Sequence, residues 1–471
     1  MKNDSTENYS KISRRRALRG VGGLTALGVT SIVSSNTAAA ADPGTQLWSF
    51  ETEGSIESSP TIVDGTVFVG CNGSAYHSES SFKSGSFYAV NAETGQEEWS
   101  FEAGQGFDSS ATVADGRVFF GSFDDNLYAL DTETGRKEWV FDAHGIGSSP
   151  TVFEGTVFIG SYNNLYAVDA ETGDQEWVFE TDIASSPTVS SGTVFVGSGD
   201  NNLYAVDAET GDQQWVFETG DSVYSSPTVA NGTVFVGSRD NNLYAVDTET
   251  GQEEWAFETG GVVDCSPTVS DNVVFFGSGD ERFYALDAET GQEEWVSYVP
   301  YPVRSSPTVA DGTLFIAADN EPNSLTLAET SDDGIIGALD LETGEPKWSL
   351  NIGIDFSSPT VANGTLFIGS SNDTDGNIEG GKLVAVDTDV TGSSDGSRAK
   401  LGTLGHHGDR KNAGQATTTL ENLGLPESLS LSGVPTPAVI AAGGGTIGVG
   451  IYAYRRWRRS DDTESNDTEE N

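Results

Sequence analysis

The sequence predicts an all-β fold, an eight-bladed β-propeller closed by the strand around Trp48 and followed by a C-terminal transmembrane helix. Three recurring markers carry this. Tryptophans stand at 48, 99, 139, 177, 215, 255, 295 and 348. The Pro or Ala of a Ser-Ser-Pro-like element stands at 60, 111, 150, 187, 227, 267, 307 and 359, and the glycine of a Thr-Gly turn at 95, 135, 173, 211, 251, 291, 344 and 392. Each series has eight members, and a fixed period of about 40 residues is the mark of a repeat architecture.

One complete unit justifies the strands. It runs from Ser185-Ser186-Pro187 through Val194-Phe195-Val196 and Leu203-Tyr204-Ala205-Val206 to Trp215-Val216-Phe217. The runs are short, β-branched or aromatic, and bounded by turn residues. A two-residue hairpin signal separates the first two strands at Asp64-Gly65, Asp115-Gly116, Asn231-Gly232, Asp311-Gly312 and Asn363-Gly364. The Asp-x-Glu-Thr-Gly turn offers an Asp to bond local backbone and a Gly that accepts positive φ. Four strands per period make a propeller blade. The array opens with an orphan strand, Leu47 to Phe50, and stops at Gly392 with no Trp strand after it. The Trp48 strand therefore completes the last blade, leaving no unpaired edge.

Composition bounds what the protein does. Acids outnumber bases 72 to 23, giving a net charge of -49, which excludes broad attraction to nucleic acid or anionic lipid. Nine of the bases lie between Asp42 and Gly392. Unscreened, such a surface repels itself, and molar salt removes most of that repulsion. Acid-rich, lysine-poor composition resembles that of salt-in halophiles, archaeal ones in particular. Cys71 and Cys265 are the only cysteines, so a disulfide scaffold and a cysteine zinc cluster are excluded.

The ends read as addresses. Residues 1–41 form a twin-arginine signal peptide, with Ser13-Arg14-Arg15-Arg16-Ala17-Leu18-Arg19, a mildly apolar stretch and an Ala-rich cleavage region. Residues 42–392 are the propeller and 393–433 a flexible linker. Residues 434–454 are uncharged and long enough for a membrane anchor. Arg455-Arg456-Trp457-Arg458-Arg459 opens a basic, then acidic, cytoplasmic tail over 455–471, which places the propeller outside the cell. Asn72, Asn231, Asn363 and Asn372 each begin a glycosylation sequon.

The pattern Ala205-Val206-Asp207 through Thr210-Gly211 to Trp215 resembles the pyrroloquinoline quinone (PQQ)-type repeat. That repeat builds the quinoprotein alcohol dehydrogenases and the non-enzymatic outer-membrane assembly scaffold BamB. The resemblance implies that each Trp packs on the Ala-bearing turn of a neighbouring blade. It also implies that a dehydrogenase would carry an adjacent Cys pair, calcium ligands and a catalytic Asp, and no stretch here matches those signatures.

Positions that differ between blades are the candidates for function. The residue before each Ser-Ser-Pro lines the mouth of the central channel, reading Glu57, Asp108, Gly147, Ala184, Tyr224, Asp264, Arg304 and Phe356. Glu57, Asp108, Tyr224, Asp264, Arg304 and Phe356 form the candidate binding site. Long loops in blades 1, 7 and 8 build one side of this face into a wall. Within it, Asp373, Asp375 and Asn377 alternate as oxygen ligands suited to Ca²⁺. The leading expectation is a non-catalytic, cell-surface scaffold binding a protein or glycan partner, without a cofactor. The alternatives are a PQQ- and Ca²⁺-dependent oxidoreductase of alcohols or sugars using Asp264 or Asp108, and polysaccharide or solute binding by Tyr224, Phe356 and Arg304.

Overall fold

Each repeat folds as four antiparallel strands hydrogen-bonded in chain order. The computed structural model describes residues 42–73, 84–107, 109–299, 301–318, 334–352, 357–374 and 377–394, with backbone alone over 372–379. The signal, anchor and tail segments lie outside the described residues. Among the described residues no helix is long and apolar enough to cross a membrane.

Blade 5 shows the construction. Its strands are Thr228–Ala230, Thr233–Gly237, Asn242–Asp247 and Glu253–Glu258, from the axis outward. Asn231 and Gly232 turn the first hairpin with φ of 53° and 87°, the left-handed pair whose twist matches that of the strands. A bulge between Ala245 and Val246 interrupts the outermost pairing and bends that strand where Trp255 reaches the next blade.

Eight such sheets are present. Seven use consecutive strands, and the eighth joins the first strand to the last three. Gln46–Thr52 pairs antiparallel with Asn377–Asp387, Trp48 opposite Ala385 and Phe50 opposite Leu383. The sheets hide their apolar faces against one another, so the core is a series of seams. Phe235, Leu243 and Val263, for example, pack with Val274, Phe276 and Leu286 of the following blade. Burial of such side chains is the main stabilising term.

Three sets of polar contacts stitch the seams. At the rim, each indole N–H from Trp48, Trp99, Trp139, Trp177, Trp215, Trp255 and Trp295 donates to a turn carbonyl of the next blade, at 2.9 to 3.2 Å. For these seven the packing role implied by the repeat resemblance is what the structure shows, whereas the ring of Trp348 lies against Gly44, where a Cβ would stand 3.1 Å from its Cε3. The turn glycine makes room for the ring: Gly211 has φ +76°, and a Cβ there would stand 2.8 Å from Trp177 Cδ2.

Near the axis, the second Ser of each Ser-Ser-Pro element forms a closed circuit. Ser59 N–H donates to Ser110 Oγ, Ser110 to Ser149, and so on through Ser186, Ser226, Ser266, Ser306 and Ser358 back to Ser59, at 2.9 to 3.2 Å. A second circuit runs beside it, from Thr61 Oγ1 to Ala111 O onward to Thr360 Oγ1 and Pro60 O. These contacts satisfy buried polar groups that would otherwise be costly. The first Ser of the element binds within its own blade, as Ser185 Oγ accepts from Gly197 N–H at 2.8 Å. In blade 6 that Ser is Cys265, whose Sγ accepts from Gly277 N–H at 2.9 Å.

After its last strand the chain turns inward on the face that carries the short hairpin turns. Thr391 donates twice to Asp311 Oδ2, from its N–H at 3.0 Å and its hydroxyl at 2.8 Å. Ser393 Oγ accepts from Asn363 N–H, and Ser394 Oγ both accepts from Val361 N–H and donates to Val361 O. Ser394 is buried there, against the innermost strand of blade 8.

Candidate functional site

The opposite face carries the channel mouth. It is built where the loop leading into each innermost strand meets the loop between the second and third strands. In blades 1 to 6 one backbone bond joins the two loops: Asn72, Phe123, Tyr162, Gly199, Arg239 and Gly279 donate to Ser55, Gly106, Gly145, Asp182, Ser222 and Val262, at 2.8 to 3.1 Å. In these six blades the lead-in position therefore has a partner position on the neighbouring loop. That second ring of positions is as variable as the first.

The two rings also meet across blades 5 and 6. Arg239 Nε donates to Asp264 Oδ1 at 2.9 Å and Nη2 to Oδ2 at 3.2 Å. The same guanidinium lies 4.0 Å from the centre of the Tyr224 ring. Arg239 thus brings together two predicted residues from adjoining blades, Tyr224 and Asp264. The hydrogen bonds it donates to Asp264 raise the pKa of Arg239 above its ordinary value, so it stays cationic. A forked carboxylate contact and a stacked aromatic face suit Arg and would not be reproduced by Lys. The Asp264 side chain is 17% exposed and that of Arg239 44%, and Tyr224 is exposed. The island is open to a partner yet internally fixed.

Elsewhere the mouth is arranged differently. In blade 1, Glu57 Oε1 accepts from Ser55 Oγ and from Asn72 Nδ2, both at 2.9 Å. In blade 3, Tyr162 covers Gly145, where a Cβ would come within 2.5 Å of its ring, and it is the more exposed of the two mouth tyrosines at 57% against 44% for Tyr224. Arg304 is exposed at the start of blade 7. Asp108 and Phe356 lie outside the described residues, as do Asp375 and the side chains of Asp373 and Asn377. Among the described residues no group of three His, Cys, Asp or Glu side chains is placed to hold a metal. The sequence reading missed Arg239, Tyr162 and Asn72. Its signal was available, since the residue after the second strand varies between blades as the lead-in residue does.

The quinone and calcium implied by the repeat resemblance can be tested against these residues. Cys71 and Cys265 are both buried, in blades 1 and 6, and Cys265 is committed to the serine position of its blade. They do not make the adjacent pair that the resemblance implies. Asp264 is held by Arg239 rather than left to a cation. The described residues do not reproduce the quinone-binding set, and no step through that group is derived.

A ring of eight four-stranded sheets around a channel, with Trp seams and a variable mouth, defines an eight-bladed propeller of the PQQ-repeat type. Residues 80–375 match the family described as "Beta-alanine-activating enzyme, beta-propeller", and the chain belongs to that family. No curated protein matches it. Among solved structures, BamB from Moraxella catarrhalis is similar over 73% of this chain and 99% of its own, with a TM-score of 0.58 at 18% identity. Quinohemoprotein alcohol dehydrogenase from Comamonas testosteroni is similar over 73% of this chain and 76% of its own, with a TM-score of 0.57 at 16% identity. A europium-containing methanol dehydrogenase is similar over 73% and 93%, with a TM-score of 0.57 at 14% identity. These likenesses are ones of fold.

Proposed function

We propose that the chain is a non-catalytic recognition or scaffold propeller, exported by the twin-arginine route, held at the cell surface by residues 434–454 and closed by its N-terminal strand. It binds a protein or glycan partner through the channel mouth. The observation that carries this reading is the Tyr224–Arg239–Asp264 island. Arg and Tyr are the residues most enriched at binding hot spots. Here their geometry is set before a partner arrives, which lowers the ordering cost of association. The fold of BamB is compatible with a scaffold role.

The test is a pull-down at molar salt using the full-length chain and its Arg239→Ala variant. Truncating a hot-spot Arg costs about 2 kcal/mol or more of binding, roughly thirtyfold in Kd. Because the Asp264 carboxylate is only 17% exposed and loses its forked partner, the variant's melting temperature is measured alongside, with a modest fall expected. A partner retained equally by both chains overturns the assignment. Dye-linked oxidation of an alcohol or sugar after addition of PQQ and Ca²⁺ would replace it with the oxidoreductase reading.

A further inference from the structure

The hairpin-turn face, opposite the mouth, contains a groove of ≈ 630 Å³ between blades 6 and 7. Its floor is apolar, with Phe275, Trp295 and Leu341. Its rim is acidic, with Asp271, Glu294, Asp311 and Glu342 and no basic residue among the lining side chains. Leu341 stands where most other blades have Ala or Thr at the Trp-accepting turn, so the apolar floor is enlarged at this seam. One end of the groove is formed by Ser393. That residue belongs to the inward-turned segment tied to Asp311, Val361 and Asn363.

The chain that follows is unlike the propeller. Between Asp42 and Gly392 there are nine bases, whereas the nine residues 396–404, Gly-Ser-Arg-Ala-Lys-Leu-Gly-Thr-Leu, contain two bases, two leucines and no acid. Arg398 lies four residues beyond Ser394, within about 13 Å of extended chain. The groove is therefore within reach of a segment whose charge and apolar residues complement it.

We propose that residues 396–404 of this same chain dock in the blade 6–7 groove. The charges of Arg398 and Lys400 are opposite to those of Glu294 and Glu342 at the rim, and Leu401 and Leu404 match the apolar floor around Trp295. Docking adds apolar burial to charge pairing, so it persists at the salt concentrations that screen exposed pairs. It also keeps the tail on the face away from the mouth. The inference is independent of the partner assigned to the mouth.

Two measurements on the full-length chain test it. Limited trypsin digestion should cleave after Arg398 and Lys400 about tenfold more slowly than after Arg410 and Lys411, and Glu294→Lys with Glu342→Lys should abolish that difference. Both substituted positions are exposed, and an unchanged melting temperature confirms that the variant is folded. Disulfide trapping gives a second readout that does not depend on charge reversal. Ala399→Cys should cross-link to Glu342→Cys at least about tenfold faster than to Asp212→Cys on blade 4 of the same face. Equal cleavage at all four sites, or equal cross-linking to both blades, overturns the proposal.

Discussion

Two glycine substitutions separate conformation from packing at the seams. Gly211 and Gly232 both hold positive φ, 76° and 87°, and both sit in turns. A Cβ at Gly232 meets nothing within 4 Å, whereas one at Gly211 would lie 2.8 Å from Trp177 Cδ2 and 3.0 Å from Cε3. Gly232→Ala therefore carries only the left-handed backbone cost, about 1 kcal/mol. Gly211→Ala carries the same cost and must also displace a buried indole. That indole is fixed by its 3.1 Å bond to Ala208 O and by the Phe158 ring, 5.7 Å away between centres. Weakening the hydrogen bond costs about 1 kcal/mol, and loss of dispersion contacts with strain adds about 1 to 3 kcal/mol. The expected total is about 3 to 5 kcal/mol, several times that of the open turn. Urea unfolding at molar salt, comparing midpoints at equal slope, measures both variants. If Gly211→Ala shifts the midpoint no further than Gly232→Ala, the indole is not held against the turn as described.

Other expectations follow from the same geometry. Asp280 Oδ1 is buried without a hydrogen-bond partner among the described residues. In blade 5 the equivalent oxygen of Asp240 accepts from the backbone and side chain of Asn242, a position occupied in blade 6 by Arg282. Arg282→Asn would supply those bonds while losing the 3.3 Å contact of Arg282 Nη1 with Asp280 Oδ2, so it should stabilise the fold by less than about 1 kcal/mol, and a lower unfolding midpoint would contradict this. Hydrogen bonds from the Thr three residues on hold the carboxyls of Asp131, Asp169, Asp207, Asp247, Asp287 and Asp340 below the usual range. A depressed folded pKa stabilises above the unfolded value of about 3.9 and is lost as pH falls through the folded value. Melting temperature should therefore drop as pH falls below about 4, and a flat profile there would count against the turns. With a net charge of -49, raising salt from about 0.1 M to about 1 M should raise the melting temperature by screening self-repulsion, and a fall on adding salt would oppose it.

The repeat unit was legible because its information is local. The Asp-Gly and Asn-Gly pairs encode hairpins, and alternation encodes which face is buried, so eight sheets could be counted before any coordinate was known. The serine circuit was not legible in the same way. Ser186 is a recurring letter in the sequence, but its contact is Ser226, 40 residues away, and only ring geometry brings them together. Cys265 makes the same point, since an isolated thiol in the chain becomes a serine substitute once its blade is seen. At the mouth, comparison between blades found Tyr224 and Asp264. Arg239 escaped because it belongs to the facing loop, which folding places beside them.

Because the serine circuit repeats at all eight seams, the blades are joined alike near the axis. The first and last strands of the propeller already lie side by side, with Gly44 N–H on Asp387 O at 2.8 Å and Asp387 N–H on Thr45 O at 2.9 Å. Genes cut at another junction and rejoined there would encode circularly permuted proteins with the same wheel. Blades could also be exchanged between positions, leaving only the loops to say which side is which.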